Sequence, residues 1–198
     1  MYTEQPLSPQ PFGKITQTTH DEHQKLYAGY VKNANLILEH GGEFAKDMDK
    51  YTYELNELQR RFSFEWAGIR NHEIYFKLLE GGATPITTGG AFEHAIKEWC
   101  GSLENFIEHF KRIALTRGIG WAMLYYDRKT DKRMSAWVDE QHIGQLADCS
   151  IVLALDMWEH AYVADYQPSG KKQYVDDFFT SLNWSAVEAL YTAAKGTS

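Results

Sequence analysis

The spacing of hydrophobic positions predicts two long helices in the first part of the chain. Apolar residues recur at helical intervals over residues 19–40, and the glycine pair at 41–42 is typical of a helix end. A second helical stretch covers residues 43–79 and is followed by the glycine pair at 81–82. Two long helices joined by a short turn predict an antiparallel helical hairpin.

A segment rich in glycine and threonine follows this hairpin. Residues 81–90 read GGATPITTGG, a composition typical of a linker. We therefore predict an N-terminal α-hairpin domain over residues 1–82, a linker over residues 83–90, and a C-terminal domain over residues 91–198. Residues 1–14 are polar and contain three prolines, so an extended arm is expected there.

The C-terminal domain combines helical and strand patterns. Residues 91–116 predict an amphipathic helix, and residues 175–195 predict a closing helix. Three short apolar and aromatic segments between them are strand candidates: residues 120–127, 134–140 and 150–156. Three strands at this spacing indicate an antiparallel sheet. The predicted fold class is α+β, with a helical hairpin followed by a three-stranded antiparallel sheet flanked by helices.

Composition and charge are those of a soluble globular protein and argue against some partners. The 198 residues are 43% hydrophobic and 24% charged, and the formal net charge is −7. A surface of that sign repels phosphate backbones, so we expect no nucleic-acid partner. The apolar runs are far shorter than the ~20 residues that span a bilayer, and no secretory signal is visible, so no membrane partner is expected. Cys100 and Cys149 form no CxxC pattern, which indicates reduced thiols and a cytoplasmic location.

One acidic residue follows the most apolar predicted strand. Asp156 ends that strand, and His160 stands four positions later. A carboxylate at the end of a buried strand is costly unless it is paired or bound to a metal. If the chain turns there, Asp156 and His160 converge on one point, as two ligands of a metal would. The alternative, weighed about equally on these residues alone, is an aspartate that caps the start of a helix.

Two further histidines lie within the predicted helical hairpin. His72 precedes an aromatic pair, and by itself it fits a helix-surface residue equally well. His23 and Tyr30 are seven residues apart, a separation that returns to within about 20° on a regular α-helix, so they share one face. His20 lies about 80° away from Tyr30 on the same helix, which makes it the weaker ligand candidate.

Together these segments resemble the iron/manganese superoxide dismutase family, over nearly the whole chain and in the family's order. The most specific segment is the string Asp-x-Trp-Glu-His-Ala-Tyr, which is complete at residues 156–162. The other matching segments are Thr19-x-x-x-His23, Tyr30-Val-x-Asn-x-Asn35, Asn71-His72, residues 118–122 and Asn183-Trp184.

The resemblance implies an enzyme with one metal ion per subunit. The ligands would be His23, His72, Asp156 and His160, and the ion would be manganese, iron or either of them. The implied reaction converts superoxide to dioxygen and hydrogen peroxide. The implied assembly is a homodimer, with a tetramer as the alternative.

The resemblance also implies roles for residues around the metal. Tyr30 and one of two neighbours, Gln141 or His142, would contact the network of the metal-bound solvent. Glu159 would reach His160 of a partner subunit and orient it. Four aromatic residues would form the wall of the active site: Trp121, Trp158, Tyr75 and Phe76.

The sequence departs from the family's pattern near the expected substrate gateway. In the family, the first histidine usually stands eight positions before the tyrosine at the substrate gateway, whereas His23 stands seven positions before Tyr30. Leu26 and Val163 replace two residues that hydrogen-bond across the family's dimer interface. These changes motivate one alternative, a catalytically altered metal-binding protein of the same fold. A non-haem iron oxygenase and a structural zinc site fit less well, because three histidines and no thiolate are present.

Overall fold

The first two helices form the predicted antiparallel hairpin. A computed structural model describes residues 1–196, and in it α1 spans Gln17–Phe44 and α2 spans Thr52–Leu79. The start of α1 contacts the end of α2, since the rings of His23 and Phe76 are 5.1 Å apart. The end of α1 contacts the start of α2, since the rings of Phe44 and Tyr51 are 4.6 Å apart.

The predicted turn of this hairpin was wrong in position. The glycine pair at 41–42 lies inside α1, and the connection is a 3₁₀ helix, Ala45–Asp47, followed by a turn before Thr52. Neither glycine adopts the left-handed conformation with which a glycine ends a helix. The helix therefore continues through both of them.

The second part of the described chain contains five α-helices, two short 3₁₀ helices and one sheet. The α-helices are α3 Ala91–Cys100, α4 Leu103–Ala114, α5 Val163–Tyr166, α6 Lys171–Ser181 and α7 Trp184–Lys195. The strands are β1 Gly120–Asp127, β2 Lys132–Asp139 and β3 Cys149–Asp156. The sheet is antiparallel with the order β2-β1-β3, which confirms the predicted α+β fold class.

Two stretches that were predicted as single helices are each divided in two. Gly101, with a φ of 81°, ends α3, and the Ser102 side chain caps α4 by accepting a hydrogen bond from the Asn105 N–H. Leu182 is extended, and the Asn183 side chain caps α7 in the same way. The predictions also missed the short helix α5 and began α6 four residues late. In each place a local cap or turn outweighs the helical periodicity.

The core lies between the hairpin and the sheet, where α2 and α7 pack against β3. The middle strand β1 is buried along nearly its whole length. The N-terminal arm contributes to the core, because Phe12 and Ile15 are buried and Phe12 packs on Tyr174 of α6. Over residues 1–196, none of the helices has the length and apolar character needed to span a membrane.

Candidate metal centre

Four side chains from four different elements meet between the hairpin and the end of the sheet. They are His23 on α1, His72 on α2, Asp156 at the end of β3, and His160 in the 3₁₀ helix Glu159–Ala161. One possible ligand atom from each residue lies within 4.8 Å of the others. These are the four residues that the sequence resemblance implied as ligands.

The carboxylate of Asp156 is the common neighbour of the three imidazoles. Its Oδ2 lies 3.1 Å from His23 Nε2, 3.2 Å from His160 Nε2 and 3.7 Å from His72 Nε2. Asp156 is fully buried, and only the side chain of His160, which is 23% exposed, reaches solvent. A carboxylate removed from water in this way is costly by itself, and a bound cation would remove that cost.

Strand pairing and a local turn fix the position of Asp156. The residue pairs with Trp121 in the register of β1 and β3, and its carbonyl accepts a hydrogen bond from the Tyr174 hydroxyl at 2.9 Å. Its Oδ1 accepts a hydrogen bond from the Trp158 N–H at 2.8 Å. Asp156 is not a helix cap, because Trp158 is the N-cap of the 3₁₀ helix that follows. One carboxylate oxygen holds the turn, and the other faces the histidines.

The ring of His72 is oriented by the backbone of its own helix. Nδ1 lies 2.6 Å from the carbonyl oxygen of Gly68, and since a carbonyl only accepts, Nδ1 carries the hydrogen. Nε2 therefore presents a lone pair to the cluster, and this buried atom has no hydrogen-bond partner among residues 1–196. A histidine that donates through one nitrogen and presents the other without a partner has the form typical of a metal ligand.

Burial and charge keep His72, His23 and Asp156 in the protonation states that bind a metal. Burial lowers the pKa of His72 to about 3, and the neighbouring His23 adds to this effect. Burial also lowers the pKa of His23, although Asp156 opposes the change. Burial alone would raise the pKa of Asp156, but the charges and hydrogen bonds of His160 and His23 hold it below its usual range. Nitrogen donors and one carboxylate at neutral pH suit iron or manganese.

α1 places the predicted gateway residue on the same face as the first histidine. The helix is regular from His23 to Tyr30, so no bulge is needed to align them. The Tyr30 ring lies 5.1 Å from the His72 ring. Burial raises the pKa of the Tyr30 hydroxyl, and the charge of Asp156 adds to this. His20 points away and lies 3.0 Å from the Gln10 carbonyl oxygen through its Nε2.

Of the two neighbouring candidates, Gln141 lies in the same hydrogen-bond network as Tyr30. Gln141 is fully buried, its Nε2 donates to the Tyr30 hydroxyl at 2.9 Å, and its Oε1 accepts from the Trp121 indole N–H at 2.8 Å. Because the indole only donates, the amide can face Tyr30 only with its nitrogen. His142 is turned elsewhere, with its ring edge against Phe64 at 5.7 Å.

The four predicted wall aromatics all lie against ligand candidates. Trp121 is 5.1 Å from the His72 ring, and Trp158 is stacked on the His160 ring at 5.6 Å. Tyr75 and Phe76 are 5.3 Å and 5.1 Å from the His23 ring. Trp121, Tyr75 and Phe76 are fully buried, so the surroundings of the cluster are apolar on these sides.

Sequence reasoning missed two residues that support the site from farther along the chain. Tyr174 holds the Asp156 carbonyl and also hydrogen-bonds with the hydroxyl of Tyr75 at 3.0 Å. Gln145 donates to the Asn71 side chain at 2.9 Å and to the Gln141 carbonyl at 3.2 Å. No local pattern in the sequence could have identified either residue.

The residues expected at a dimer interface lie near the surface. Glu159 is exposed, and over residues 1–196 its side chain forms no hydrogen bond or ion pair. Leu26 is 42% exposed, and Val163 is half-buried.

Comparison with known families gives matches to both parts of the chain. Residues 1–80 match the model of the alpha-hairpin domain of iron/manganese superoxide dismutases, and residues 88–190 match the model of the C-terminal domain of the same enzymes.

Individual relatives include proteins named for each metal. The chain is 33% identical to an iron superoxide dismutase of Pyrobaculum aerophilum, over 84% of this chain and 78% of that protein. It is 32% identical to a manganese/iron superoxide dismutase of Propionibacterium freudenreichii subsp. shermanii, over 96% and 92% of the two chains. It is also 32% identical to a manganese superoxide dismutase of Mycobacterium leprae, over 95% and 88%.

Proposed function

This chain belongs to the iron/manganese superoxide dismutase family, and we propose that it is itself a superoxide dismutase. The observation that carries the proposal is the convergence of donor atoms from His23, His72, Asp156 and His160 in a chain that matches the family in both parts. A bound iron or manganese ion would supply the one-electron redox chemistry that converts two superoxide anions and two protons to dioxygen and hydrogen peroxide.

The protein's own residues would hold that ion through the cluster. The unpartnered Nε2 of His72 and the Oδ2 of Asp156 are buried and directed at the same point. The Gly68 carbonyl holds the ring of His72 from behind, and the Trp158 N–H does the same for the carboxylate of Asp156. Such outer partners fix the orientation of ligands and are part of a functional metal site.

Tyr30, oriented by Gln141, would hold and deliver a proton. Gln141 donates to the Tyr30 oxygen, so the hydroxyl hydrogen of Tyr30 remains available to donate to another acceptor. Because burial raises the pKa of Tyr30, the hydroxyl keeps its proton at neutral pH. The fixed amide of Gln141 thus orients a protonated donor beside His72, where peroxide formation needs protons.

Exposure around the cluster indicates the side from which the substrate enters. Tyr75, Phe76 and Trp121 close the cluster on the protein's inner side and exclude water there. His160 and Tyr30 are only partly buried. We assign the entry of the superoxide anion to the surface between these two side chains.

We further propose one ion per subunit, a homodimer and a cytoplasmic location. The single donor set found within residues 1–196 supports one ion. The free, exposed carboxylate of Glu159 next to His160 supports a contact with His160 of a second subunit, with a tetramer as the alternative. Two free cysteines support a reducing compartment. Sedimentation of the purified protein and fractionation of cells test the assembly and the location.

The decisive experiment compares metal content and turnover in the same samples. Purified protein is depleted of metal, reloaded separately with iron and with manganese, and assayed for superoxide consumption and for bound metal. We expect catalytic consumption with one metal or with both. The His72→Ala variant should lose both the bound ion and the activity.

A matched control separates loss of a ligand from loss of any histidine. His40 lies on α1 outside the cluster, with an exposed side chain, and His40→Ala should retain metal and activity. Saturable metal binding by the wild-type protein without turnover would refute the proposal and favour the metal-binding protein without activity, an alternative that no present observation supports.

A further inference from the structure

The aromatic ring of Tyr30 rests directly on the backbone of α2 at Gly68. A Cβ atom built on Gly68 would lie 2.5 Å from Tyr30 Cδ1, 2.7 Å from Cγ and 2.9 Å from Cε1. Ordinary van der Waals contact begins near 3.5 Å, so any side chain at position 68 would overlap the ring. The Tyr30 ring can occupy this place only because residue 68 has no side chain.

The same residue also holds a ligand candidate of the proposed metal site. The carbonyl oxygen of Gly68 accepts the Nδ1–H hydrogen bond of His72 at 2.6 Å. One residue of α2 therefore fixes the two rings that lie 5.1 Å apart at the cluster, those of His72 and Tyr30. Any residue at position 68 of the helix would supply the backbone carbonyl that His72 contacts. The contact with the Tyr30 ring, by contrast, requires a residue without a side chain.

The glycine is unfavourable for the helix that contains it. Gly68 lies well inside α2, where glycine is among the poorest residues because of its backbone entropy. Gly29, inside α1 and next to Tyr30, is different, because a Cβ built on it meets nothing within 4 Å. The missing side chain of Gly68 is thus occupied by the Tyr30 ring, whereas that of Gly29 leaves open space, as do those of Gly41 and Gly42.

We propose that Gly68 is a positioning residue for Tyr30 and, through it, for the hydrogen bond between Tyr30 and Gln141. This inference rests on the proposed dismutase function, in which Tyr30 holds a proton. A side chain at position 68 displaces the ring, lengthens the 2.9 Å bond to Gln141 and leaves the four donor residues unchanged.

The test uses Gly68→Ala, Tyr30→Ala and the double variant, with Gly29→Ala as the matched control. Crystal structures of the metal-free proteins give the distance from residue 30 to Gln141 without reference to activity. In Gly68→Ala we expect the Tyr30 oxygen to lie beyond 3.5 Å from Gln141 Nε2, outside hydrogen-bond range. We expect Gly29→Ala to keep the bond at the wild-type distance.

Turnover of the metal-loaded proteins provides the second measurement. A displacement of about 1 Å in a positioned group can lower a rate by up to about 100-fold. We expect Gly68→Ala to lose as much activity as Tyr30→Ala, with metal content retained. In the Tyr30→Ala background, Gly68→Ala should change activity by less than about twofold, because the ring that it displaces is gone. Gly29→Ala should match the wild type.

The outcomes distinguish this inference from the proposed function. An unchanged Tyr30 position in Gly68→Ala, or an equal loss of activity with and without the Tyr30 ring, would overturn the inference alone. A wild-type protein without dismutase activity would overturn the function, while the crystallographic comparison still decides the steric claim. If Gly68→Ala fails to fold, recovery of folding in the double variant supports the inference, and failure of both variants overturns it.

Discussion

Acid is expected to unfold the metal-free protein because burial holds His72 and His23 in the neutral form. Burial lowers the pKa of His72 from 6.5 to about 3. A difference of about 3.5 pKa units corresponds to about 5 kcal/mol, at about 1.4 kcal/mol for each unit. This is the amount by which full protonation of His72 would lower the free energy of unfolding. That amount is a large share of the roughly 5–15 kcal/mol by which a folded domain is usually stable.

The sign of the pH dependence follows from which state of the chain, unfolded or folded, binds a proton more readily. The unfolded chain protonates His72 near pH 6.5, and the folded protein does so only near pH 3. The free energy of unfolding is therefore retained above pH 6.5 and falls as the pH drops toward 3, by about 1.4 kcal/mol per pH unit for each such histidine. His23 acts in the same direction. The lowered pKa of Asp156 adds a further loss below pH 3.8.

Urea denaturation between pH 7 and pH 4.5, followed by tryptophan fluorescence, measures this dependence. The slope should become shallower in His72→Gln by the contribution of one histidine, about 1.4 kcal/mol per pH unit, and stay unchanged in the control His40→Gln. Metal-loaded protein should have a higher free energy of unfolding at pH 7 and should lose it at least as steeply on acidification, because the bound ion excludes protons from these nitrogens in the folded state only. Equal stability of the metal-free protein at pH 6.5 and pH 5 would refute the reasoning.

Three substitutions test other contacts of the site and the fold. Gln141→Leu should lower the free energy of unfolding by about 2 kcal/mol, because the buried Trp121 indole N–H loses its acceptor. Urea denaturation measures this loss, and an unchanged stability would mean that the indole finds another acceptor. Tyr174→Phe should lower the free energy of unfolding by about 1 kcal/mol and leave the metal content unchanged, because the lost hydroxyl donates to the Asp156 carbonyl and not to its carboxylate. Loss of metal from this variant would contradict the prediction. Gly101→Ala should lower the free energy of unfolding by about 1–2 kcal/mol, because the φ of 81° is strained for any side chain; an unchanged melting temperature would show that the turn relaxes.

The sequence predicted two pairs of neighbours in the site because the members of each pair stand only a few positions apart in the chain. A separation of seven residues places His23 and Tyr30 on one face of any regular helix, and the structure has such a helix there. Asp156 and His160 are close because the chain turns at once after a buried strand. The meeting of these pairs with His72, by contrast, was expected only from the resemblance to a family, since no spacing in the sequence encodes it.

Helix ends were the weakest predictions, because each depends on a few local contacts rather than on periodicity. The glycine pair at 41–42 permits a left-handed end but does not require one. The division between α6 and α7 depends on the Asn183 side chain, which caps one helix and also donates to the Glu80 carbonyl at 2.8 Å. A contact across 103 residues is not visible in any local window.

The choice between Gln141 and His142 shows the same limit at the level of one residue. A change of one residue in the length of the loop would turn His142 instead of Gln141 toward the cluster, and the sequence carries no signal for that change. The loop is fixed by distant partners, since Asn71 of α2 donates to the Gln141 carbonyl at 2.8 Å. The role of either residue in catalysis stays a prediction until the variants are measured.

The order of the four donors along the polypeptide has a consequence for biosynthesis. Two of them, His23 and His72, leave the ribosome in the first half of translation, whereas Asp156 and His160 follow only after most of the chain has been made. With the proposed ligand set, a nascent chain offers an ion only two of the four donor residues until residue 160 has emerged. Selection between available metals therefore takes place on a nearly finished polypeptide. Binding of the ion then links the first helix of the chain to the segment that follows the last strand.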